Sequence, residues 1–217
     1  MRFYLRRSSQ AIMPNSVVLE VFTDFVCPWC YLATPRVERL RQNYDVDVQW
    51  TYFPLHPETP VDGMLLKDLF AGRNFDLEAA HLRLKTLMDA EGLIFNQRSH
   101  TYNSRLAQEL AKGFDSGRLR EALYKAYFEN GKNIGDVGVL VAIAESCGIP
   151  GDAARRALNE RTFKDAVDAD WAKARSYGIT GVPSFVAGNQ KLVGAHPYEI
   201  LEKLIVAAGG KLVTESN

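Results

Sequence analysis

From Val17 to Phe25 the residues are mostly β-branched or aromatic, which predicts a strand buried on both faces, with Glu20 the conspicuous exception. After it, Leu32, Val37 and Leu40 recur at helical spacing, about 3.6 residues per turn, up to about Asn43. Pro35 falls inside this helix, where it removes one backbone hydrogen bond and bends the axis without ending it. A second strand is expected from Val46 to Phe53, stopped by Pro54, with Pro57 and Pro60 holding a loop. Between Pro60 and Tyr177 the period changes to helix after helix. Leu77, Ala80, Leu84, Leu87 and Met88 make one apolar stripe, and Leu119, Leu123, Ala126 and Tyr127 another. Further helices are predicted over Asp136–Cys147 and Thr162–Tyr177, with Gly148 and Gly178 at their C-terminal ends. Strand character returns at Ser184–Ala187 and Lys191–Val193, joined by Gly188-Asn189, and Tyr198–Ala208 closes as an amphipathic helix.

The order is therefore β-α-β, a long helical block, then β-β-α. Residues 17–59 and 178–210 are read as one discontinuous domain, and 60–177 as an all-helical insertion packed on it. Residues 1–16 are expected to be a flexible extension. They carry Arg2, Arg6 and Arg7 with no acidic residue before Glu20, a pattern that also suits a weak organelle presequence, but lack the apolar stretch of a secretory signal, and Met13 offers an alternative start. On that reading the cytoplasm is the expected compartment. Lys plus Arg and Asp plus Glu number 26 each, which gives no general electrostatic reason for nucleic acid or an anionic membrane as partner. No apolar run approaches the length of a bilayer span.

The 217 residues contain three cysteines, too few for a disulfide framework, and two of them lie close together in Cys27-Pro28-Trp29-Cys30. Structural zinc needs four ligands, and Cys147 with histidines at 56, 81, 100 and 196 does not supply the spacing. The pair instead sits where a buried strand gives way to a helix. Unpaired N–H groups and the positive end of the helix dipole there stabilise a thiolate on Cys27, at the exposed helix start. Cys30, one turn on and on the same side, is placed to attack a mixed disulfide at Cys27. Pro28 suits the first helical turn and Trp29 shapes the rim.

Thr180-Gly181-Val182-Pro183-Ser184 precedes the third strand. A proline there is a candidate for a cis peptide bond, although the base rate alone favours trans. Cys27-Pro28-Trp29-Cys30-Tyr31, Gly181-Val182-Pro183-Ser184-Phe185, Ala126-Tyr127-Phe128 and Ile134-Gly135-Asp136 together resemble the DsbA-like thioredoxin superfamily, specifically its FrnE branch. The resemblance runs from Val17 to Ala208. It implies a thioredoxin fold interrupted by the helical block, thiol–disulfide exchange with protein or small-thiol substrates, and no bound cofactor, with glutathione a thiol it can exchange with. It also implies that Val182-Pro183 is cis, faces the dithiol, and offers the Val182 backbone to an extended substrate. His196 and His56 depart from the family pattern, which has glutamine and asparagine at those places. A sister branch, similar to kappa-class glutathione transferases and 2-hydroxychromene-2-carboxylate isomerases, typically has serine where Cys27 stands, and is the alternative reading.

Three residues carry further expectations. A buried Glu20 is expected to be partly neutral and to accept the proton of Cys30. Asp24, three residues before Cys27, adds a negative charge that water in an exposed loop would screen. Cys147 shares an apolar helical face with Leu140, Ile143 and Ala144 and is expected to be a buried structural thiol.

Overall fold

A computed structural model of the chain describes residues 16–213. The expectation for 1–16 lies, apart from Ser16, outside the described residues. Strand β1 (Val17–Thr23) leads through a tight turn into helix α1 (Pro28–Asn43), which runs on past Pro35, and strand β2 (Val46–Tyr52) follows. The inserted stretch holds β3 (Met64–Leu65), α2 (Leu66–Leu69), α3 (Leu77–Ala90), β4 (His100–Thr101), α4 (Arg105–Gly113), α5 (Gly117–Phe128), α6 (Val137–Ser146), α7 (Gly151–Asn159) and α8 (Lys164–Ser176). Strands β5 (Ser184–Ala187) and β6 (Gln190–Val193), joined by the two-residue turn at 188–189, precede α9 (Tyr198–Ala207). Gly148 and Gly178, just beyond α6 and α8, adopt φ of 84° and 62°, which a side chain would strain.

The main sheet has the order β2-β1-β5-β6, with β1 parallel to β2 and antiparallel to β5. β1 is thus central, and its last five residues are buried, as its near-continuous apolar character requires. Alternation splits its side chains between two layers. Leu19 and Val21 pack with Ala33, Val37 and Leu40 of α1 and Leu201 and Ile205 of α9, whereas Phe22 packs with Ala174 of α8 and Ile179. α8 therefore covers the second face of the sheet directly. Its sequence pattern grouped it with the insertion because periodicity reports an apolar stripe, not the surface that the stripe meets.

The insertion is also not wholly helical, for β3 and β4 pair as a two-residue antiparallel ribbon, too short to show period-two alternation. One apolar cluster runs from the dithiol into the inserted helices. It joins Phe25, Cys27, Cys30, Tyr31 and Tyr52 to Leu110, Leu123, Tyr124, Tyr127 and Phe128.

Candidate active site

Thr23-Asp24-Phe25-Val26 bends the chain out of the sheet and into α1, and hydrogen bonds from buried groups fix the bend. The Cys27 amide donates to the Asp24 carbonyl at 3.1 Å. The Asp24 carboxylate accepts from the amides of Val26, at 3.1 Å, and Leu55, at 3.0 Å. Asp24 is completely buried, so water does not screen it as an exposed loop would allow. Burial raises its pKa against the opposing effect of those donors and of His56.

The bend delivers Cys27 to the N-cap of α1, with Pro28 at the first helical position and no acidic residue in the first turn. Cys27 caps the helix with its carbonyl, which accepts from the amides of Cys30 at 3.1 Å and Tyr31 at 3.2 Å. Its thiol instead turns outward and donates to the carbonyl of Val182 at 3.3 Å. The Val182-Pro183 peptide is cis. Ser184 Oγ donates to the Gly181 carbonyl at 2.7 Å and the Gly194 amide to that of Pro183 at 2.8 Å, which holds this segment against the start of α1. Pro28, Trp29 and Val182 are half-buried and form the rim. Cys27 itself is only 3% exposed, so the helix start is lined and not open as its position in the sequence suggested.

Both cysteines are free thiols, and both are buried. Burial, then the neighbouring Cys27 sulfur, pushes the Cys30 thiol well above its ordinary value, while the Thr23 hydroxyl and the Asp24 backbone pull the other way. Behind it, Tyr31 stacks on Tyr124 and Phe128 with ring centroids 5.5 and 5.2 Å apart, and the Tyr31 hydroxyl donates to Glu129 at 3.0 Å. Thr23, Asp24 and Tyr124 are site residues that sequence reasoning missed or misplaced. The tyrosine comes from α5, 101 positions from Thr23, and no local pattern links them.

Glu20 is not part of this arrangement. It is 5% exposed, ion-paired to Lys173 of α8, and accepts from Thr51 Oγ1 at 2.5 Å. That puts its carboxyl on the α8 face of the sheet, opposite α1, which removes it as the proton acceptor for Cys30. Cys147 also departs from expectation: it is the C-cap of α6, half-exposed, with its sulfur 3.7 Å from the Arg118 carbonyl. It does pack against the apolar cluster that holds Leu140, Ile143 and Ala144, but only partly buried, at that cluster's edge. His196 lies on the turn after β6 with Nε2 3.0 Å from the Val193 carbonyl, while its own carbonyl accepts from buried Arg36 at 2.8 Å.

The sequence model of the DSBA-like thioredoxin domain matches residues 18–206. The chain belongs to this family. YwbO of Bacillus subtilis, an uncharacterized protein, is 28% identical over 195 residues, spanning 88% of this chain and 96% of YwbO. The crystal structure of SCO1869 from Streptomyces coelicolor, a probable DsbA oxidoreductase, is similar with a TM-score of 0.81 and 27% identity, covering 89% of this chain and 90% of that one. The cytosolic disulfide reductase DsbM of Pseudomonas aeruginosa has the same fold, with a TM-score of 0.63, 18% identity, and coverage of 88% and 99%. Membership places the chain among thioredoxin-fold oxidoreductases, and the Cys27–Cys30 spacing fits their dithiol. Among the described residues no helix is long and apolar enough to cross a membrane.

Proposed function

We propose that the protein is a thiol–disulfide oxidoreductase of the FrnE-like kind that exchanges disulfides with protein or small-thiol substrates through Cys27 and Cys30. The observation that carries this is the 3.3 Å contact between the Cys27 thiol and the carbonyl of Val182 beside Pro183, with Cys30 buried one turn inward. A sulfur at a helix N-terminus is the better nucleophile, and a buried thiol held protonated is the better resolving group. Pro28, Trp29, Val182 and Pro183 form the substrate face. When Cys27 gives up its proton, the Val182 carbonyl loses its thiol donor and becomes free to accept a substrate amide in the manner of a strand. No cofactor is required: a thiol such as glutathione supplies the electrons, and a reducing cytoplasm would rest the pair as the dithiol.

Reduction of a model disulfide by dithiothreitol tests the reading. Wild type should catalyse it and Cys27→Ser should not. Glutathione-transferase turnover that survives Cys30→Ser, with no disulfide reduction by wild type, would replace this reading with the glutathione-dependent one.

A further inference from the structure

Disulfide exchange uses the two sulfurs and the Val182 carbonyl, and it leaves a buried guanidinium on α1 without a purpose. Arg36 stands nine residues after Cys27 and is 7% exposed. Its Nε donates to Glu91 Oε1 at 2.7 Å. Glu91, the C-cap of the inserted helix α3, accepts from Arg39 Nη2 at 3.1 Å through its other oxygen. Nη1 of Arg36 donates to two successive main-chain carbonyls, of Ala195 at 3.4 Å and of His196 at 2.8 Å. Taking such a charge out of water is expensive, and a packed apolar side chain would serve stability as well, so stability alone does not account for it. What arginine adds is a planar fork that fixes direction as well as distance.

The segment that Arg36 holds is the short loop between β6 and α9, and this loop borders the cis peptide. The β5–β6 register sets Val193 opposite Ser184, and the next residue, Gly194, donates its amide to the Pro183 carbonyl at 2.8 Å. Ala195, like Trp29 and Val182, packs half-buried on the apolar cluster that contains Cys27 and Cys30. The loop closes tightly, with the His196 amide donating to the Gly194 carbonyl at 3.0 Å. A continuous run of bonds therefore leads from α3 through Glu91 and Arg36 to the loop, and from the loop to Pro183.

We infer that Arg36, anchored by Glu91, is a positioning residue that holds Gly194-Ala195-His196 as a fixed wall of the substrate face, where it selects disulfides carried in an extended polypeptide. The inference rests on the proposed exchange reaction and adds a specificity element to it. A peptide that pairs with the Val182 backbone runs beside Pro183 and meets this wall, and a wall ordered beforehand spares binding the cost of ordering a loop. A disulfide with no peptide backbone has nothing to lay against it. The sulfur chemistry is separate, for the hydrogen bonds of Arg36 go to Glu91, Ala195 and His196 and not to either cysteine.

The test compares two disulfides that the full chain reduces with dithiothreitol: the disulfide-linked dimer of a blocked five-residue peptide with a central cysteine, and bis(2-hydroxyethyl) disulfide. Arg36→Met keeps the length of the side chain and removes its donors, while Glu91 retains Arg39, so no carboxylate is stranded. The variant should raise KM for the peptide about tenfold, the worth of one hydrogen bond to a charged group. Its kcat for the peptide, and its kcat/KM for bis(2-hydroxyethyl) disulfide, should stay within about twofold of wild type. Glu91→Gln keeps an acceptor for Nε and should hold the peptide KM near the wild-type value. Ala195→Gly loosens the wall from its other side without disturbing a buried charge and should raise the peptide KM about threefold, which keeps the inference testable if Arg36→Met does not fold. An unchanged peptide KM in folded Arg36→Met or in Ala195→Gly would overturn the inference. So would an equal loss of kcat/KM on the two disulfides, which marks a merely structural role. Wild type that reduces neither disulfide would overturn the exchange reaction itself, and the inference with it.

Discussion

Asp24→Asn should change the stability of the reduced protein with a pH dependence that follows from burial alone. The carboxyl is completely inaccessible, among the described residues it has no salt-bridge partner, and burial outweighs its hydrogen-bond donors and His56 to raise its pKa above the unfolded value of about 3.9. Below both values the group is neutral folded and unfolded, so it contributes no pH dependence. As pH rises through the window between them, the unfolded chain releases the proton and the folded chain retains it. Wild type therefore loses stability across that window, about 1.4 kcal/mol for each unit by which the folded pKa is raised. Asparagine does not titrate. It has one acceptor oxygen for two amides, so either Val26 or Leu55 loses its partner. The lost acceptor costs about 1–2 kcal/mol at every pH. The variant should thus be the less stable protein near pH 4.5 and close the gap toward pH 8. Urea denaturation of both proteins over that range, under reductant, reads the difference. Parallel stability profiles, or a gap that widens with pH, would show that Asp24 does not titrate with a raised pKa in the folded protein.

Lys173→Met should destabilise the fold by about 3 kcal/mol in urea, because it strands the buried Glu20 carboxylate without its cation. When the reduced protein meets 5,5′-dithiobis(2-nitrobenzoate), Glu20→Gln should leave release of the second thionitrobenzoate, by Cys30, unchanged, and a slowed release would contradict the placement of Glu20 on the face away from α1. Gly113→Ala should lower stability by about 2 kcal/mol despite the helix propensity it gains, since the new methyl would stand 1.9 Å from the Phe163 ring; a raised melting temperature would contradict this. Burial raises the pKa of Glu109, but bonds from Arg161 and Arg105 outweigh it and leave the pKa lowered. Glu109→Gln should therefore cost stability at neutral pH, with the cost fading as pH falls through the folded pKa of the wild-type carboxyl, and a pH-independent cost would count against the pairing.

Much of the fold was legible because its signals are local. The β-branched run of β1, the dithiol at its exit, the helix that tolerates Pro35 and the hairpin at 188–189 each follow from adjacent residues. What escaped depends on partners far along the chain. Glu20 reads as an orphan charge until α8 brings Lys173 to it, 153 positions later. Asp24 reads as a loop residue until Leu55 and Ser104 enclose it. Thr23 and Tyr124 are ordinary residues of a strand and a helix, and only the packing of α5 behind the dithiol makes them a pair. For Cys147, helical periodicity identified the apolar face it packs against, but its place at the C-cap, just past the last helical residue, leaves it only partly buried.

The proposed exchange divides the work, with Cys27 attacking and Cys30 resolving. Intact-mass measurement after acid quenching, following reaction of reduced Cys30→Ser with a small peptide disulfide in the Cys147→Ser background, tests it most directly. Cys30→Ser should hold one persistent peptide adduct, mapped to Cys27, while wild-type Cys27–Cys30 passes through that adduct to the adduct-free disulfide and Cys27→Ser acquires none on the same timescale. An adduct forming on Cys30 of the Cys27→Ser variant as fast as on Cys27, or no adduct on Cys30→Ser, would contradict it.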